Sequence, residues 1–189
     1  DINKLTIKSQ EVLQQAQFLA KSFGQQTVET GHLLKAMLEV DEHVVPFLLK
    51  KASVNINSLT QKLNNIIQSY PKVSGGQVYL SNDLNDVMQR AFAALKINKD
   101  EFVSVEHLLQ ALLSGKDKVA KLLKEEGCNI KDLTNAINEL RKGERVTSAS
   151  AEETYNSLNK YARNLNELAR NGKLDPVIGR DDEIRRVLQ

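Results

Sequence analysis

Up to Lys142, apolar residues recur every three or four positions, the spacing of helices that bury one face. Val12, Leu13, Ala16, Leu19, Ala20 and Phe23 form one such face. Thr6 stands ahead of it as an N-cap, and Gly24 follows at the C′ position. The same face returns behind Ser81 as Val87, Met88, Ala91, Ala94 and Leu95. A second helix in that half runs from Ser104 with Val105, Leu108, Leu109 and Leu112 inward. Third helices are expected near 43–51, with Pro46 tolerated in the opening turn, and near 117–126. Fourth helices are expected to follow Asn57 and Lys131. Tyr70–Tyr79, with Pro71 and Gly75-Gly76, is too rich in turn residues to continue a helix.

The pattern is one unit written twice. At an offset of 75, Leu5, Val12 and Ala16 meet Leu80, Val87 and Ala91, and His32-Leu33-Leu34 meets His107-Leu108-Leu109. After one deleted residue the offset is 74, and Leu48-Leu49, Asn55-Ile56 and Leu59 meet Leu122-Leu123, Asn129-Ile130 and Leu133. Chance similarity does not keep register through a single gap, so the duplication is real. The expected fold is all-α: two tandem four-helix repeats, about 5–69 and 80–142, related by a pseudo-twofold within a domain spanning 1–142. A flexible linker is expected over 143–153, where Val146 is the one β-branched apolar residue. A separate amphipathic helix over 154–172 follows, with Leu158, Tyr161, Leu165 and Leu168 on one face. The remainder, 173–189, turns at Asp175-Pro176 and is expected to open a further domain.

Charge narrows the function. With 26 basic and 24 acidic residues, the chain lacks the cationic excess that phosphate neutralisation demands, so nucleic acid is not an expected partner. No apolar run reaches the length of a membrane span, and DINKLTIK lacks the pattern of a signal peptide. With one cysteine, Cys128, no internal disulfide can form, and a cytoplasmic chain with no membrane association is expected. Cys128 aligns with Val54 and reads as small core filler.

Catalytic chemistry is not expected. No GxxxxGK[ST] loop is present, because the Gly-Lys pairs at 115–116 and 172–173 lack the earlier glycine and the hydroxyl residue. His32 and His107 read as partly buried first-turn histidines, with no carboxylate at a spacing that would orient either ring. With His43 and Cys128 they make no metal-ligand pattern. Asp100, Glu101 and Glu106 differ, because the first copy has Gln25, Gln26 and Gly31 at those places. They flank Phe102, Val103 and Val105 where a loop enters a helix. Two readings stay open: a solvated helix start that favours acids, or an acid-rimmed apolar groove for peptide.

The duplicated HLL-x-A-[LM]-L signature at His32–Leu38 and His107–Leu113 resembles the double-repeat N-terminal domain of the Clp unfoldases. DEFVSVEHLL at Asp100–Leu109 is similar to the second repeat of the family's disaggregase branch. Ala151–Arg186, AEETYNSLNKYARNLNELARNGKLDPVIGRDDEIRR, resembles the branch's passage from linker into the first AAA+ ATPase domain. The resemblance implies a homohexamer using ATP and magnesium to thread unfolded or aggregated polypeptides through a pore, helped by a DnaK-type chaperone system. It implies that this chain has no cofactor and only engages substrate. Thr6, Asp100 and Glu106 match positions implicated in substrate binding, and Phe102 and Val103 are expected to supply apolar surface beside them. Arg90 and Ala94 stand where relatives carry groove leucines. Val177 and Ile178 match positions that line an adenine pocket in the complete ATPase domain. The rival within the family is the adaptor-docking domain of a protease-coupled unfoldase.

Overall fold

A computed structural model describes residues 1–73 and 75–155. The first of the chain's two units, Asp1–Ala151, holds every element named below. A 3-10 turn at Ile2–Lys4 leads into α1 (Ile7–Ser22), α2 (Thr30–Val40), α3 (Val44–Lys51) and α4 (Ile56–Gln68). The second set is α5 (Asn82–Asn98), α6 (Val105–Leu113), α7 (Lys118–Glu125) and α8 (Ile130–Arg141). These are the two sets of four expected. The last helix of each starts slightly earlier than the apolar spacing suggested, because Asn55 and Asn129 cap them through the Ser58 and Asp132 N–H groups (3.0 and 2.8 Å).

The copies are interlocked rather than set side by side. β1 (Thr27–Val28) pairs in parallel with β2 (Tyr79–Leu80), so Val28 of the first copy lies opposite Leu80 of the second. The pseudo-twofold image of that pairing is the bridge between Leu5 and Val103. The Ser81 N–H donates to Val28 O at 3.0 Å, and the Thr6 N–H donates to Val103 O at 2.9 Å. The helices repeat the exchange: α3 packs on α8 and α4 on α7, while α1 packs on α2 and α5 on α6 inside each copy. Each copy thus gives its leading residue and its last two helices to the other.

Leu33, Leu34, Leu48, Leu49, Leu59 and Leu63 are fully buried, and Leu84, Leu108, Leu109 and Leu112 answer them in the second copy. Each such side chain contributes about 2 kcal/mol of transfer free energy. The α1 terminus shows why copy one needs glycine there. Gly24 sits at φ +68°, and the Gly24 and Gln25 N–H groups return to Lys21 O and Ala20 O (3.0 and 2.8 Å). Lys99 adopts the same left-handed conformation in copy two, at φ +58°.

The expectation of a free linker after Lys142 is corrected over its first half. The Glu101 N–H donates to Val146 O (2.8 Å), the Ile7 N–H donates to Ala149 O (2.9 Å), and Val146 is 0 % exposed. One apolar residue with backbone partners suffices to seat this polar stretch. The 154–172 helix beyond Tyr155 and the 173–189 segment, with Val177 and Ile178, lie outside the described residues.

Candidate functional site

The two histidines occupy matching positions and do a matching job. Each is the third residue of its helix, and its backbone N–H is taken by the cap side chain, Glu29 or Ser104. In return His32 Nδ1 accepts the Glu29 N–H at 2.9 Å, and His107 Nδ1 accepts the Ser104 N–H at 2.9 Å. A neutral ring holding that bond carries its proton on Nε2. His32 Nε2 then donates to Gln25 Oε1 (2.6 Å), and His107 Nε2 donates to Asp100 Oδ2 (2.7 Å). Both rings are fully buried, and a residue seven places earlier orients each. The expectation that no carboxylate orients either ring therefore fails for His107.

Around this shared frame the copies diverge in charge. Copy one is neutral: Gln25 Nε2 donates to Ile67 O at 2.7 Å, and the Tyr70 hydroxyl accepts the Gly31 N–H at 3.2 Å. A Cβ on Gly31 would come within 2.6 Å of the Tyr70 oxygen, so glycine alone fits under that ring. Copy two carries Glu106 in place of Gly31, with Arg141 across from it. Arg141 Nε donates to Glu106 Oε2 (2.9 Å), and Nη1 donates to Asp100 Oδ2 (3.1 Å). Burial alone raises the Asp100 pKa. The hydrogen bonds from His107 and the Val146 N–H, with the Arg141 charge, outweigh it and hold that carboxyl below its usual value. Glu106 Oε1 is buried with no hydrogen-bond partner among the described residues.

The expected binding residues are therefore brought together, but mostly facing inward. Thr6 and Val103 are buried where the Leu5 and Val103 strands meet, and the Thr6 hydroxyl caps α1 by accepting the Ser9 N–H (3.1 Å). Asp100 and Glu106 form a buried ion-paired cluster, so in this conformation they do not rim an open groove. Of the expected set, Phe102 alone is half-exposed. Sequence reasoning missed Arg141 and Val146. The paired offset from Gln25 to His32 and from Asp100 to His107 was the one signal available, and it points to neither.

Asp100 has a further acceptor that Gln25 lacks. Its Oδ1 takes the Val146 N–H at 2.9 Å, while both amide atoms of Gln25 are engaged by His32 and Ile67. The second-copy junction thus offers an acceptor and the Glu101 donor to a passing backbone. A separate polar cleft of about 420 Å³ lies between α5 and the α6–α7 turn, lined by Asp83, Asp86, Arg90 and Asp117 among others. There Arg90 turns inward and donates twice to Ala111 O (3.2 and 3.0 Å). Cys128 is buried, which with the nearby Asp132 charge pushes its thiol up to about 11 and leaves it a poor nucleophile. Among the described residues no group of histidine, cysteine and acid side chains is placed to hold a metal, and no helix is long and apolar enough to cross a membrane.

Comparison with known proteins agrees with this geometry. Residues 4–126 match the Clp repeat N-terminal domain. A chaperone protein ClpB from Bacteroides thetaiotaomicron is 53 % identical over 189 residues, all of this chain and 22 % of that protein. The chain thus spans about a fifth of the length of the curated relatives it matches. The Hsp104 N-terminal domain from Candida albicans has the same fold (TM-score 0.69, 22 % identity, 78 % of this chain and 98 % of that one). A ClpV N-domain solved in complex with a VipB peptide also shares it (TM-score 0.62, 20 % identity, 75 % and 89 % covered). With its two repeats interlocked in this way and the family match running through both, the chain belongs to the Clp repeat N-terminal domain family.

Proposed function

We propose that this chain is the substrate-engaging module of an ATP-driven protein disaggregase. The 53 % identity to a ClpB chaperone along the whole chain carries this reading. The module takes hold of apolar segments exposed on unfolded or aggregated polypeptides and passes them to a hexameric AAA+ ring working with a DnaK-type chaperone system in the cytoplasm. ATP and magnesium belong to that ring. The 173–189 sequence, with Val177 and Ile178 as adenine-pocket residues, belongs to the opening of its ATPase domain in this reading. Half-exposed Phe102 provides apolar contact, while Thr6, Val103, Asp100 and Glu106 hold the junction beneath it. Weak single-site binding suits a domain that must release what it captures, and six copies offset modest affinity by raising local concentration.

The test is an NMR titration of the chain with a permanently unfolded protein, run beside the same protein folded. Shifts around Phe102 with the unfolded form alone are expected. Equal response to both forms, or none at millimolar concentration, overturns the reading and favours adaptor docking.

A further inference from the structure

The seating of residues 146–149 is a recognition event made almost entirely by main chain. Val146 gives its N–H to Asp100 Oδ1 and receives the Glu101 N–H on its carbonyl (2.9 and 2.8 Å). Ala149 O takes the Ile7 N–H (2.9 Å), one of the orphan donors at the start of α1. None of these three bonds depends on which side chains the docked segment carries. One side chain is read: that of Val146, fully buried in a stretch otherwise made of charged, hydroxyl and alanine residues. Main-chain bonds for affinity and one apolar slot for selectivity are how a protein binds extended peptide.

The receiving half is built independently of its occupant. Asp100 is fixed from behind by His107 and Arg141, its side chain fully buried, with one oxygen left for the incoming N–H. Lys4 and Thr6 are tied to Val103, which sets the Ile7 donor beside the Glu101 donor. Copy one holds the segment after its fourth helix differently: the Val73 N–H donates to Gly24 O (2.9 Å) rather than to the Gln25 side chain, which bonds His32 and Ile67, and the Val73 side chain is half-exposed instead of buried. That asymmetry accounts for acids that appear in one repeat only.

We infer that this junction is a docking site for an extended polypeptide bearing a valine- or isoleucine-like side chain, and that Arg145–Ala149 is its resident occupant, which an incoming segment displaces. The inference rests on the proposed reading of the domain as a module for exposed apolar segments. It adds where the segment lies, which groups hold it, and that each chain binds one.

The test uses the whole 189-residue chain, wild type and Val146→Asp. The probe is a fluorescein-labelled peptide GERVTSAS, the sequence at 143–150, with a second peptide carrying Asp for Val. An occupant docked about nine-tenths of the time withholds the site and weakens apparent affinity about tenfold. Val146→Asp is therefore expected to bind the valine peptide about tenfold more tightly than wild type, one to one, with the aspartate peptide binding neither. Amide exchange at Glu101 is expected to quicken in the variant and slow again when the peptide is added. Val146→Ala, a milder change that leaves the fold in place, is expected to shift affinity in the same direction by less. Equal peptide affinity in all three chains, or equal binding of both peptides, overturns the site. Carboxymethylated α-lactalbumin, an unfolded probe, separates the two readings. If it binds wild type and variant alike while the peptide binds neither, the site falls and the proposed function stands. If the peptide binds and the unfolded protein does not, the site stands and the function falls.

Discussion

Among the described residues His32 makes no ion pair. Its Nε2 meets a neutral amide, its ring lies 5.3 Å from that of Tyr70, and burial lowers its pKa from 6.5 to about 4. Between those values the unfolded chain takes up a proton that the folded chain refuses, so stability falls with pH across that window and is complete above it. The shift corresponds to about 3 kcal/mol. Chemical denaturation at pH 7 and pH 4.5 is expected to show a loss of that order, and the His32 ring signal in NMR is expected to stay neutral below pH 5. A His32 titration near 6.5 would contradict it. His107, the same residue on the same frame, has a carboxylate where His32 has an amide. That difference was present in the sequence as Gln25 against Asp100. The partner that completes it was not legible, because Arg141 lies 41 positions away on another helix and nothing local ties the two.

At the scale of the element, termini decide more than interiors. α1 ends on Gly24 and α5 on Lys99, both in the left-handed region. A non-glycine residue pays about 1 kcal/mol there, and Lys99 is exposed with no packing to offset it. Lys99→Gly is accordingly expected to stabilise the domain by about 0.5–1 kcal/mol, less the entropy that glycine gains in the unfolded chain. Thermal unfolding reads the change, and a lowered midpoint refutes it. The helices and most of their caps were readable because period and cap chemistry are local. The seat of residues 146–149 was not. Its bonds are made by backbone, which every residue possesses, and one valine in a polar run is too small a signal to mark a contact.

For the whole molecule, exchange of elements removes the independence that duplication suggests. Val28 needs Leu80, Val103 needs Leu5, α3 needs α8, and α4 needs α7. A half cut at Gln77 would expose the faces that the other half covers. The 1–77 fragment is expected to show little stable helix by circular dichroism, and the intact domain a single unfolding transition by every probe. Two separable transitions, or a folded half, would refute this.

The Leu5–Val103 bridge also fixes an order in time. During synthesis Leu5 has no partner until about a hundred more residues have followed, some 5–20 s at ordinary elongation rates. Contacts so far apart in sequence are slow to close. Until α7 and α8 have followed, the sides of α3 and α4 that they cover stand open, so the half made first waits with bare apolar surface for the half made last.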